Sequence, residues 1–294
     1  MNNSFGRYPE QVNRQIAMIK EIILKVVDAE KIILFGGSIY EADSSYCFNE
    51  LDLSTFFNQF EFLVILLNSS AKQDVELLDK IEQRCAKVTR ITAIVHDAVY
   101  INEELSKGSL FFSSILKEGV IIHDAGRVVF PQVTPANLKE VLRVAESDYA
   151  RWGRQARAFL LSAEYMRTVS EIRVALFLLH QATESIYTAI LLIHRGYKPT
   201  THNIDKLRRY TLSVSIKLAM VFDLNRNEEN HLFRILQSAY VDARYREAFE
   251  VTYDELDELL NKVRLLLALS DAIWINRFNA LNKRSGQPSI YEIK

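Results

Sequence analysis

Between Pro9 and Glu30 the apolar residues Val12, Ile16, Ile19, Ile23 and Val26 recur at intervals of three and four, the spacing of one face of a helix. The pattern then changes. The short run from Lys31 to Phe35, KIILF, is β-branched and aromatic and reads as a strand, which Gly36, Gly37 and Ser38 are expected to end in a tight turn. From Glu61 to Leu67 the string EFLVILL is apolar on successive positions, as a strand covered on both faces requires. Helical spacing returns over Gln73–Val88 through Val75, Leu78, Ile81 and Cys85, and Ile91–Val95 and Gly119–His123 predict a third and a fourth strand. Helices set between strands make a mixed α/β layer. Beyond Pro131 and Pro135 the character changes again. Five long amphipathic stretches, 136–167, 170–195, 204–222, 228–247 and 253–282, follow with almost no glycine except Gly196. Short connections between such helices predict an antiparallel, up-down bundle. Two prolines within five residues oppose helix continuation, so the boundary is placed there, giving domains over 1–133 and 134–294.

The 294 residues are 25% charged and 49% hydrophobic, an ordinary globular balance. The 36 Lys and Arg against 37 Asp and Glu leave a net charge of −1, so no global polycation is available to coat nucleic acid or an anionic membrane. That balance hides an asymmetry: residues 1–133 carry 13 basic against 18 acidic side chains, and residues 134–294 carry 23 against 19. Cys47 and Cys85 are too few for a disulfide framework or a four-ligand zinc site. The opening residues lack the apolar core of a signal peptide and no run reaches about 18 uninterrupted apolar residues, so a soluble, cytoplasmic protein is expected, with no membrane partner. No phosphate-binding P-loop, dinucleotide fingerprint, nucleophile elbow or DNA-specific motif occurs, and His96-Asp97 and His123-Asp124 lack a third ligand at metal spacing.

A strand, a Gly-Gly-Ser turn and a second, apolar strand resemble the minimal nucleotidyltransferase fold. The strings ALFLLHQATESIYTAILLIHRGYKPTTHNIDKL and SAYVDARYREAF are similar to a HEPN domain, and fusions in this order form a family. The resemblance implies an α+β chain: a nucleotidyltransferase-like mixed α/β domain followed by an all-α HEPN-like up-down helical bundle. It also implies that Gly36, Gly37 and Ser38 hold nucleotide phosphates through backbone N–H groups. In that family two carboxylates one residue apart on the next strand, with a third nearby, bind Mg²⁺. Two registers are open here. In the preferred one the pair falls at Gln59 and Glu61, residues 41–58 are an inserted loop, and Thr92 and Ala93 stand where the third acid belongs. In the other, Glu50 and Asp52 form the pair. Glu61 and Asp52 are the candidate catalytic acids, and Mg²⁺ is expected only if the transferase is active. Either register is short of acid, so a scaffold that no longer transfers is favoured.

HEPN ribonucleases use an Arg followed after four to six residues by a His, the first stabilising phosphorane charge and the second moving a proton. Here Arg244 has no such histidine after it. Arg226 to His231 and Arg195 to His202 satisfy the spacing but are assigned to chance. On one helix face His180 and Glu184 are four apart. With Tyr240, Arg244 and Tyr245 on the helix expected to face them, they could bind a phosphate and stack a base. The alternative, weighed equally, is a buried polar network in which His180 bonds Tyr240 or Glu184. Lys206, Arg208, Arg209 and Tyr210 read as a solvated basic face, and Trp152 and Trp274 as core or interface aromatics. The expectation is a nucleotide- or RNA-binding protein with both catalytic motifs degraded, homodimeric through its bundle. Its rivals are an active Mg²⁺-dependent nucleotidyltransferase and a HEPN ribonuclease of a toxin–antitoxin module.

Overall fold

The computed structural model describes residues 10–38, 59–131, 137–245 and 250–285. The chain falls into two compact units, Met1–Ala136 and Asn137–Lys294.

In the first unit, α1 (Glu10–Val26) precedes β1 (Ala29–Ser38) and β2 (Gln59–Leu66). They are followed by α2 (Ala71–Cys85), β3 (Ile91–Asp97), α3 (Ala98–Ser106), α4 (Leu110–Glu118) and β4 (Val120–Asp124). The strands form one sheet in the order β3-β2-β1-β4. β1 is antiparallel to both β2 and β4, whereas β2 and β3 are parallel with α2 as their crossover. Strand side chains alternate between faces. Phe60, Phe62, Val64 and Leu66 therefore meet Ile16, Ile19 and Ile23 of α1 and Ile81 and Cys85 of α2. Leu63, Ile65 and Ile33 are equally buried on the opposite face, where Phe111 packs edge-on to Phe35 at 5.8 Å. The continuous apolar pattern of β2 thus corresponds to burial on both sides.

Two local features differ from the sequence expectation. Gly36, Gly37 and Ser38 do not turn: they continue β1 and pair with Glu61, Phe60 and Gln59. The Glu61 carboxylate lies across Gly36, so a Cβ added there would require that side chain to shift. Helices α3 and α4 occupy a stretch the sequence reading left unassigned. Their caps are Asp97, whose Oδ1 accepts from Tyr100 N at 2.7 Å, and Ser109, whose Oγ accepts from Phe112 N at 3.5 Å.

The start of β1 is tied to the segment after β4 by Glu30, which has no solvent exposure. Its carboxylate accepts from the backbone N–H groups of Arg127 and Val128 at 2.9 and 2.8 Å and from Arg127 Nε at 2.8 Å. Arg127 also bonds Asp28 at 2.9 Å and holds that carboxyl below its usual pKa. Next to it, Lys31 pairs with Asp124 across β1 and β4.

The second unit is helical: α5 (Leu138–Thr168), α6 (Ile172–Arg195), α7 (Ile204–Thr211), α8 (Lys217–Val221), α9 (Asn227–Ser238), α10 (Asp242–Tyr245) and α11 (Tyr253–Ser285). Arg157 pairs with Asp271, Glu164 with Arg264 and Arg167 with Asp257. One set of numbers rises as the other falls, so α11 runs antiparallel to α5. Since α6 doubles back on α5 through three residues, α6 and α11 share a direction, which departs from strict up-down order. Leu142, Tyr149, Ile193, Trp274 and Phe278 fill the space among these three helices, so Trp274 is a core residue. The expected helix 204–222 breaks at 212–216 and the expected helix 228–247 breaks at 239–241. Both interruptions are rich in β-branched, aromatic or serine residues, which weaken helix propensity where packing does not insist.

Helix α6 is long and apolar enough to cross a membrane by length and composition, yet 78% of that apolar stretch is buried inside the unit. It is the central helix of the bundle. Near its end, burial and then the charges of Arg277 and Arg195 depress the His194 imidazole from 6.5 to about 4. The unfolded chain therefore takes up a proton that the folded one refuses between those values. The helical unit is expected to lose stability as pH falls from 6.5 to about 4, with no further loss from this group below that. Thermal unfolding of wild type and His194→Gln over this range checks it, the variant having the shallower pH dependence.

Candidate functional site

The polar residues that interrupt the apolar surface of α6 converge with the loop after it and with the α9–α10 junction. Gly196 ends α6 in the left-handed conformation (φ 66°), its N–H bonding Leu192 O at 2.8 Å. This is the backbone position glycine fills most easily. The chain then returns along the helix. Thr201 Oγ1 accepts from Asn203 N at 3.1 Å. Asn203 caps α7 through Oδ1, which accepts from Lys206 N at 3.0 Å. Gln237 Oε1 accepts from Asp205 N at 3.1 Å, tying the end of α9 to the start of α7.

These bonds place His202 over α6. Its Nδ1 is 3.0 Å from Glu184 Oε1, with Glu184 buried and His202 largely exposed. An ionised carboxylate only accepts, so the proton sits on Nδ1 and Nε2 is left open. The His202 ring stacks on Tyr240, 5.5 Å between centroids and 6° from parallel. Together with His180, Asn203, Gln237 and Asp242 they line a cavity of about 370 Å³. Asn203 and Gln237 have their oxygens committed to α7, so their amide N–H groups are the ends available to a ligand.

His180 does not make either of the bonds expected of it. Its Nδ1 donates to the Leu236 carbonyl at 2.9 Å, and its ring lies 5.3 Å from that of Tyr240. The residue has no solvent exposure, and Nε2 meets no hydrogen-bond geometry with a side chain or backbone group among the described residues. Burial is the largest influence on its pKa and lowers it, against the Leu236 backbone, the Glu184 charge and the His202 backbone. His180 is therefore a neutral support behind the aromatic wall, out of a ligand's direct reach.

Arg244 belongs to the short α10 and not to a long helix facing α6. Its Nε donates to Tyr240 O at 2.7 Å. The guanidinium carbon lies 4.5 Å from the Tyr240 ring, 5.0 Å from Tyr245 and 5.1 Å from Phe177. Arg173 fixes this turn by donating to the carbonyls of Ala243 and Asp242 at 3.0 and 3.2 Å. Arg244 is exposed and makes no ion pair among the described residues. Tyr245 is 74% exposed beside it. Of the five residues expected to converge, Tyr240 lines the cavity with His180 behind it, Glu184 holds His202, and Arg244 and Tyr245 flank Tyr240 outside the lining. His202 completes the groove. It was assigned only to a chance Arg–His spacing, and the one signal for it was that an acid such as Glu184 on an apolar helix needs a partner.

Residues 149–273 match the family model of the HEPN domain. The match runs from the middle of α5 into α11 and contains every residue of the groove. Among the curated proteins no match was found. In this HEPN-like unit the other Arg–His spacings do not form a site. His231 Nε2 contacts Glu255 at 2.7 Å, and Arg195 donates to Ser213 Oγ at 2.5 Å. Arg208 is buried and Arg209 pairs with Asp205, so the basic face 206–210 is partly structural.

In the first unit the β1–β2 pairing sets Gly36 opposite Glu61, and β3 sets Thr92 beside Glu61. Asp52 and Glu50 lie outside the described residues, as do the side chains of Gln59 and Ser38. Among the described residues no three His, Cys, Asp or Glu side chains could hold a metal. Glu61 with its described neighbours is one carboxylate, which does not fit the oxygen-rich octahedral demand of Mg²⁺.

Proposed function

We propose that the HEPN-like unit is a nucleotide- or RNA-binding module. A base stacks on the His202–Tyr240 pair, and a phosphate meets Arg244 at the rim. The observation that carries this reading is the parallel His202–Tyr240 pair with a guanidinium over the same tyrosine. Aromatic faces accept any base, and an exposed arginine with no carboxylate partner among the described residues can donate to a phosphate. Among the described residues the cavity lining contains no Lys or Arg, which favours the base inside and the charge outside. Turnover by the usual Arg–His route is not part of the proposal, because no histidine follows Arg244 at that spacing.

The proposal extends to a homodimer through the helical unit. Leu161 and Tyr165 on α5 and Leu265 on α11, each more than half exposed, form a face that a second copy would cover. The first unit is read as a nucleotidyltransferase-like sheet that has lost its metal chemistry, supported by Glu61 being, among the described residues, the one carboxylate set against the glycine pair.

Titrating AMP into the full chain by calorimetry, with and without Mg²⁺, tests the function. The expected result is binding that Mg²⁺ does not change and that Arg244→Gln weakens by about 10-fold, the loss of one charge-assisted contact. Binding that needs Mg²⁺ and is lost in Glu61→Gln would instead assign the nucleotide to the first unit and revive the transferase.

A further inference from the structure

Trp152, on α5, is half-buried and flanked by two cations. Arg151 Cζ lies 5.3 Å from its ring and Lys198 Nζ 4.8 Å from it. Arg154 stands one turn further along the same exposed side of α5. None of the three makes an ion pair among the described residues. Asp148 is near enough to feel Arg151, but burial is the larger influence on it and raises its carboxyl pKa. Three cations without an ion pair among the described residues, two of them gathered on one indole, cost mutual repulsion that an internal carboxylate would ordinarily relieve.

Lys198 belongs to the loop that carries His202. They are four positions apart, a reach of at most about 14 Å. The loop is held at both ends and internally, by the Gly196 cap, the Thr201 N–H to Pro199 O bond at 2.9 Å and the Asn203 cap. One ordered segment therefore links the stacking groove to the cations on Trp152.

We infer that Arg151, Arg154 and Lys198 form a second subsite that takes the phosphodiester backbone of a single-stranded polynucleotide whose base occupies the groove. This rests on the groove reading and deepens it: the ligand is a strand several nucleotides long, not a mononucleotide. Trp152 fixes the two cations by its π-face, reducing the side-chain freedom lost when phosphate binds.

The test compares AMP with a single-stranded RNA octamer on the full chain, using wild type and the double variant Arg151→Gln/Lys198→Gln. Both positions are on the surface, and circular dichroism controls for folding. Wild type is expected to bind the octamer at least about 10-fold more tightly than AMP. The double variant is expected to lose about 10-fold on the octamer and nothing on AMP. Its slope of log affinity against log salt should be shallower by about 1.4, two phosphate contacts on a single strand. If AMP binds but the octamer gains nothing, or the double variant binds the octamer as wild type does, the subsite is overturned and the groove reading stands. If wild type binds neither ligand, both fall.

Discussion

Tyr240→Ala is expected to weaken AMP binding to the full chain by about 5- to 150-fold, because stacking one base is worth about 1–3 kcal/mol. Tyr240 is the residue on which the groove is assembled: His202 stacks on it, Arg244 lies over it and His180 supports it. Removing the ring takes away the base platform and also releases the guanidinium from its fixed place. Tyr240→Phe keeps the ring and is expected to bind within about two-fold of wild type, since the proposal gives the phenol no role. Calorimetry on the two variants, with near-ultraviolet circular dichroism to verify packing, separates a stacking role from a structural one. An alanine variant that binds like wild type would remove the base from this groove.

The second large effect concerns stability. Glu30→Ala is expected to destabilise the sheet by about 3 kcal/mol, the cost of leaving buried donors and an arginine without their acceptor. Two backbone N–H groups and Arg127 Nε all depend on that carboxylate. Because Arg127 is partly exposed, water recovers some of the loss at its guanidinium but not at the N–H groups. A chain of two units need not unfold in one step, so the measurement should be local. Amide exchange at Ile32–Leu34 is expected to accelerate by about 100-fold, while exchange in α6 is unchanged. Unaltered exchange in β1 would show that Glu30 is not what ties down the start of β1.

Periodicity recovered the elements whose burial is simple. The one-faced spacing of α1 and the two-faced run of β2 translate directly into Ile16, Ile19 and Ile23 against Phe60, Phe62 and Val64. It failed where tertiary contacts outweigh local preference. Gly36–Gly37–Ser38 looks like a turn, yet these residues continue β1, paired with Glu61, Phe60 and Gln59. The breaks at 212–216 and 239–241 carry neither proline nor glycine, so only the weak helix propensity of their residues announces them. Helix α3 was legible in principle, since Asp97 is a good cap, but it follows β3 without a single intervening residue.

The site was legible in its residues more than in its geometry. His180, Glu184, Tyr240, Arg244 and Tyr245 stood out because polar groups on apolar helices must find partners. Which partner each finds depends on how the 196–203 loop returns along α6. That return brings His202 to Glu184 and sends the His180 proton to Leu236. Sequence spacing carries no information about such a return. The same loop brings Lys198 to Trp152, which packs against the core of the helical unit as its residue type suggests and also carries a cation on its ring.

The most direct measurement is photocrosslinking of a uridine-containing single-stranded RNA octamer bearing one photoreactive base, followed by mass-spectrometric mapping on the full chain. Crosslinked peptides are expected to contain Tyr240 or His202, and to vanish with an excess of unlabelled octamer. Crosslinks confined to the peptides around Gly36 and Glu61, with none in the helical unit, would contradict the assignment of the nucleotide to the His202–Tyr240 groove.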